Sequence, residues 1–285
     1  MKLNNILQKG KASISFEIFP PKRDTELAAI DDTLEVLCGL KPDYISVTFG
    51  AGGSMANSKT LEIAKKIKQK GIEPIVHLTC LNYTKSEIDG VISELNEAGV
   101  DNVLALRGDK NPNITQKFEF MHASDMISYL KERSDLYICG ACYPEKHPEA
   151  PDKVTDMINL KKKVDAGADA LISQLFFDNE TYFRFLENTR MAGIEVPIHA
   201  GIMPVINKAQ IERMTSLCGA TLPDKFVRIM NRYENDKEAL LDAGMVYAIN
   251  QIVDLLANGV DGIHVYTMNN VKIAERICKE IKNLW

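Results

Sequence analysis

Val103-Leu104-Ala105-Leu106-Arg107-Gly108-Asp109 decides how this chain reads. Four apolar residues run into a glycine flanked by opposite charges. A short buried strand that delivers polar residues at its C-terminal edge has this form. The same form recurs at seven other places, centred on Glu17, Thr48, His77, Tyr143 with His147, Gln174, Met203 with Asn207, and Tyr266. A barrel of eight parallel strands puts such edges in one ring, so residues distant in sequence line one pocket. The pattern points to an enzyme.

Strand candidates lie at 12–18, 44–49, 73–79, 102–106, 136–142, 169–175, 196–201 and 261–267. Helical stretches alternate with them near 26–39, 59–70, 85–98, 123–133, 154–166, 180–192 and 208–219, and a last helix falls near 271–283. Ser58 precedes one helix and Gly71 closes it, Thr84 with Glu87 fits a capping box, and Asn179 precedes a helix that Gly193 ends. Repeated βα units imply a parallel sheet, and eight of them favour closure. No strand is followed by G-x-G-x-x-G, which argues against an open dinucleotide-binding sheet. Gly50-Ala51-Gly52-Gly53-Ser54 reads as a flexible loop at the barrel mouth. Between the seventh and eighth strands the chain holds about three helices, 208–219, 224–234 and 237–258. The expected fold is a single (β/α)8 TIM barrel over residues 1–285, with those extra helices packed on it.

The length of 285 residues allows a core that needs no disulfide or metal staple. The net charge of -5 gives no general pull toward nucleic acid. The N-terminus shows no secretory h-region, and no apolar stretch approaches the ~20 residues of a spanning helix. The expected location is cytoplasmic, without a membrane partner. Six scattered cysteines are then expected to be reduced. Cys139 and Cys142 spell C-x-x-C, but residues three apart on a strand point to opposite faces, so no redox or metal pair is expected. His77 and Cys80 lack a second pair at metal-ligand spacing.

Glu17 is flanked by apolar residues on both sides, and two readings stand open. One is a desolvated general acid with a raised pKa; the other is a buried structural ion pair. His77 is a catalytic candidate or a hydrogen-bonded rim group. Arg107 and Asp109 form a plain salt bridge or, around Gly108, a ligand-binding turn suited to phosphate or a heteroaromatic ring. Two prolines stiffen the loop that carries Tyr143 and His147. Gln174 can donate and accept at a planar amide-like edge. There is no strand-end lysine for a Schiff base, no serine elbow and no acidic cluster ready for Mg²⁺. Mixed polar groups without a nucleophile suggest that a bound cofactor carries the hard step.

The strings SFEIFPPK (15–22), SVTFGAGGS (46–54), HLTC (77–80), LRGD (106–109), YPEKHPEA (143–150), NLKKKVDAGAD (159–169), QLFFD (174–178), GIMPV (201–205) and HVYTMN (264–269) resemble methylenetetrahydrofolate reductase, in family order and spacing from about residue 12 to 283. The resemblance is to the compact bacterial form, for which no adenosylmethionine control is expected. It implies a TIM barrel with noncovalent FAD at the C-terminal face. NADH or NADPH reduces the flavin, and 5,10-methylenetetrahydrofolate then takes up hydride to become 5-methyltetrahydrofolate in a ping-pong sequence. By this resemblance Glu17 is the general acid for opening the folate's five-membered ring. Asp109 is a carboxylate beside flavin and pterin. Thr48, His77, Arg107, Gly108, Asp109, Ala123, Tyr143, His147, Ala150, Asp156, Asn159 and Lys163 contact FAD. Lys163 is then expected to face inward while Lys161 faces elsewhere. Gln174, Gln210 and Tyr266 contact the substrate. Two positions depart from the family pattern. Asn270 stands where many members carry a folate-binding Arg, with Lys272 as a candidate substitute, and His122 stands where some have Tyr.

Two other readings belong to different classes. One is a flavin- or folate-binding subunit active only with an iron–sulfur electron-transfer partner, as in some anaerobic relatives. The other is a cofactor-free barrel lyase or isomerase, which the missing lysine and metal carboxylates disfavour. Family members form homo-oligomers, and the same is expected here. The choice of NADH, NADPH or a ferredoxin-linked donor is left open by the residues.

Overall fold

The computed structural model describes residues 1–7, 10–21, 27–49, 59–109 and 117–285. Eight strands close a parallel barrel in chain order: β1 (Ser13–Ile18), β2 (Tyr44–Val47), β3 (Glu73–Thr79), β4 (Asn102–Leu106), β5 (Tyr137–Cys142), β6 (Ala170–Ser173), β7 (Ile198–Ile202) and β8 (Gly262–Tyr266). The ring closes where β1 pairs with β8, with Ser15 beside His264 and Glu17 beside Tyr266. Helices α1 (Leu27–Gly39), α2 (Lys59–Gln69), α3 (Lys85–Glu97), α4 (Ala123–Arg133), α5 (Lys153–Asp165) and α6 (Asn179–Met191) follow the first six strands in turn. After β7 come α7 (Lys208–Cys218), α8 (Asp224–Tyr233) and α9 (Lys237–Ala257), and α10 (Val271–Ile281) ends the fold. The three-helix insertion is as the sequence predicts. The glycine-rich run 50–54, Ser58 and Lys22 lie outside the described residues.

Strand alternation builds two layers of core. Outward residues such as Ile14, Phe16, Ile45, Val47, Ile198 and Val265 are fully buried beneath the helices. Tyr44, Ile75, Leu104, Tyr137, Cys139 and Ile172 fill the barrel interior, and Leu3 packs with them. Leu3 is held by its backbone N–H, which donates to Asn102 Oδ1 at 2.9 Å. Each such side chain contributes roughly 1.5–3 kcal/mol of burial free energy.

Helix termini follow their local chemistry. Thr84 and Glu87 make the predicted capping box on α3. At α6 the cap is Asp178 rather than Asn179, because the Asp178 carboxylate accepts from Glu180 N. Asn179 instead ties α6 to α9 through Gln251 O and Asp254. The expectation that no segment is long and apolar enough to span a membrane is also corrected. α9 meets that test by length and composition, with 21 residues. Here it is a packing helix whose Leu240, Met245, Ala248, Ile252 and Leu255 are buried. All six cysteines are free. Cys139 packs in the barrel interior and Cys142 in the outer layer, so the C-x-x-C pair does face opposite ways.

Candidate active site

β1 carries Ser13, Ser15 and Glu17 on its inward face, one every second residue. Glu17, at the C-terminal end, stands between two imidazoles. Its Oε2 lies 3.5 Å from His77 Nε2 and 3.6 Å from His264 Nε2. His264 is wholly buried and is held from below, with Nδ1 2.8 Å from Ser15 Oγ and Nε2 3.3 Å from Ser46 Oγ. Its ring stacks on Tyr44 at 5.8 Å. Tyr44 OH in turn lies 2.6 Å from His199 Nδ1. His77 Nε2 is buried without a hydrogen-bond partner.

This corrects the expected electrostatics of Glu17. Burial does push its carboxyl up, but the His264 contact and the positive potential of His77 and His264 outweigh it. The net shift is downward. Burial likewise holds His77 below the ordinary imidazole value, the Glu17 charge offsetting it only in part. The structural-pair reading of Glu17 as a partner of Arg or Lys finds no support among the described residues, where its ion-pair contacts are imidazoles.

A second cluster flanks the mouth on the β4–β5 side. Arg107 makes a bidentate pair with Glu149, both contacts 2.7 Å, rather than with Asp109. Gly108 has φ +86°, and a Cβ there would press on Thr79 at 3.0 Å. Asp109 is exposed, and its charge reaches Tyr143, whose hydroxyl is pushed up to about 12 mainly by burial. Tyr143 meets the His147 ring edge-on at 4.6 Å. His147 Nδ1 accepts from Glu149 N, its backbone N–H donates to Asp156 Oδ2, and Ala150 N closes the turn on His147 O. Burial and the nearby Arg107 charge hold His147 low.

Asp156, Asn159 and Lys163 fall on one face of α5 at helical spacing. Lys161 pairs outward with Asp165, as expected, whereas the half-buried Lys163 turns in to Ala141 O. Its alkyl stem lies over Gly140, where a Cβ would sit 2.8 Å from Lys163 Cδ. Burial lowers the Lys163 pKa. Thr48 directly follows β2, its N–H hydrogen-bonded to Ile18 O. Ala123 opens α4 and is buried, directly after the exposed His122 that caps the helix.

The remaining predicted residues lie on the β6–β8 side. Gln174 N–H donates to Cys142 O, and its Oε1 accepts from Leu175 N. Tyr266 OH donates to Ser173 O at 2.7 Å, beside Gln174. Gln210, Asn207, Met203 and Met268 line a small cavity there. Asn270 is explained by the fold, since it caps α10 by accepting from Lys272 N. The preceding Met268 and Asn269 both adopt left-handed φ, near +55°. Asn269 anchors that turn by pairing both ways with the Phe19 backbone, while Thr267 Oγ1 donates to Glu17 O. Sequence reasoning missed His264, Ser15, Ser46, Tyr44 and His199. The signal was present as polar residues at every second position, back from Glu17 and from Tyr266. Among the described residues no cluster could hold a metal ion.

The fold and this half-buried carboxylate–imidazole mouth define the class: a TIM-barrel enzyme with its chemistry at the C-terminal strand edges. A family model described as methylenetetrahydrofolate reductase matches residues 2–282. The 5,10-methylenetetrahydrofolate reductase of Escherichia coli K12 is 37% identical over 271 residues, 95% of this chain and 90% of that one. The protein of that name from Pectobacterium carotovorum is 36% identical with the same coverage. A solved structure from Clostridium thermocellum, described as an uncharacterized protein that binds two copies of 5-methyl-5,6,7,8-tetrahydrofolic acid, superposes over the whole of both chains. Its TM-score is 0.73 at 18% identity, a likeness of fold. The chain belongs to the methylenetetrahydrofolate reductase family, oxidoreductases that reduce methylenetetrahydrofolate.

Proposed function

We propose that this protein reduces 5,10-methylenetetrahydrofolate to 5-methyltetrahydrofolate using noncovalent FAD, with NADH or NADPH and folate visiting one mouth in turn. The observation that carries this reading is the half-buried Glu17 set between two imidazoles at the barrel mouth, next to a flank of mixed charge that holds Arg107 and Lys163. The flank fits a flavin dinucleotide. His77 presents a buried nitrogen without a hydrogen-bond partner, Gly108 turns the backbone with φ +86° at the mouth, and Lys163 and Arg107 are the cations available to a pyrophosphate. Arg107, Gly108, Tyr143, His147, Asp156 and Lys163 would hold the group, with Thr48, Ala123, Ala150 and Asn159 beside them. Bound flavin supplies the hydride.

The chain's own residues do the rest. Glu17 delivers a proton to the departing amine nitrogen as the folate's aminal C–N bond opens, which leaves an iminium cation. The Asp109 carboxylate stabilises that cation. Gln174 orients the pterin edge, and Tyr266 and Gln210 flank it. The test is to mix purified protein anaerobically with 5-methyltetrahydrofolate and record the visible spectrum. Bleaching of a flavin band is expected. A colourless protein that takes up no added FAD would overturn the proposal.

A further inference from the structure

Below Glu17 the barrel interior is polar where an apolar filling would serve stability better. Ser15, Ser46, Tyr44, His264 and His199 are all buried, although each polar atom taken from water needs a partner. The contacts run as one file. Glu17 Oε2 faces His264 Nε2, His264 Nδ1 rests on Ser15 Oγ, and Tyr44 stacks beneath His264 and meets His199. One proton arrangement satisfies every contact of the file. Ser15 has one hydroxyl proton, and it donates to Ile263 O at 3.2 Å. In that arrangement its oxygen accepts in the 2.8 Å contact and His264 carries its proton on Nδ1. Nε2 is left to face Ser46 and the Glu17 carboxyl.

We propose that His264 is a positioning residue that shares one proton with Glu17, storing on Nε2 the proton that Glu17 delivers to substrate. The inference rests on the folate-reductase reading for its use in turnover, while the proton pairing itself stands on geometry alone. Proton balance is simple. The breaking C–N bond leaves its electron pair on nitrogen, which takes the proton from Glu17. That proton has passed to Glu17 from His264 Nε2, and the pair regains one from solvent after product leaves. The titratable and polar groups around Glu17 are His77 from β3, His264 and Tyr266 from β8, and Ser46 and Tyr44 from β2, with His199 behind Tyr44. Among these, His264 is the one with both nitrogens engaged by buried hydroxyls. Such a pair titrates as a unit, in two shared steps.

The test is an NMR titration of holoenzyme labelled with ¹³C at glutamate δ carbons and ¹⁵N in histidine, assigned with Glu17→Gln and His264→Gln. Two inflections are expected in the Glu17 signal, one coincident with the His264 ring nitrogens, and a single inflection in His264→Gln. The same variant should slow folate-dependent flavin reoxidation by about 10-fold or more and move its pH optimum toward acid. Should His264→Gln not fold, Ser15→Ala removes the Nδ1 acceptor and should shift both His264 ¹⁵N signals. A Glu17 titration identical in wild type and variant would overturn the inference. Coupled titration in a protein without folate chemistry would uphold the proton pair and sink the reductase reading instead.

Discussion

Glu17 illustrates what a single residue owes to its neighbours. Burial alone would make it a weak acid, yet two imidazoles reverse the direction of the shift. Its proton therefore belongs to the site rather than to the carboxyl. Glu17→Gln is nearly isosteric but carries no transferable proton. It should retain FAD and accept electrons from pyridine nucleotide while losing folate reduction by about 10²–10⁴-fold. Stopped-flow measurement of the two half-reactions separately checks this, and near-native folate reduction would remove Glu17 from the mechanism. At this scale the sequence singled out Glu17, His77 and Arg107 as candidates, and the family resemblance added Lys163. It could not reveal that Arg107 binds Glu149 rather than Asp109, since the two carboxylates compete through space and not along the chain.

At the scale of elements, β6, β7 and β8 approach one another closely. Gly201 on β7 pairs with His264 on β8, and Tyr266 spans the gap to Ser173 O. A Cβ at Gly201 would be driven into the Ser173 carbonyl and lie 2.9 Å from the Tyr266 ring. Backbone cannot yield as a flexible side chain does. Gly201→Ala should thus cost at least about 2 kcal/mol, a melting temperature lower by about 3 °C or more. It should also weaken folate binding through Tyr266, read by calorimetry and folate titration on the same sample. Element positions were legible because amphipathic period and cap chemistry are local. The α6 cap was misplaced by one residue, since Asp178 and Asn179 are both capable caps and only the packing of α9 assigns Asn179 elsewhere.

The whole molecule carries an acid liability in its interior. Burial holds His199 at about 3, against 6.5 for a free imidazole. Below pH 6.5 the unfolded chain takes a proton that the folded barrel refuses, so stability falls as pH falls toward 3. Glu17 acts in the same direction, because its lowered carboxyl contributes stability above the ordinary carboxylate range that is lost as pH drops through the folded value. The His199 share is about 2 kcal/mol between pH 7 and pH 5. Denaturant midpoints across that range should fall more steeply in the native protein than in His199→Phe. Parallel slopes would show that the interior imidazole is not held neutral.

The sequence by itself determined the barrel, its strand order and most of the mouth, because hydrophobic period and strand-end polarity are local properties repeated eight times. It also carried the family's motifs in order. Tertiary structure alone decided which side chains meet inside the barrel. The alternation that points Glu17 inward also points Ser15 inward, and ring closure sets His264 against both. Whether Glu17 then gives or keeps its proton depends on distances between strands that the chain separates by about 250 residues, and no pattern along the chain encodes those distances.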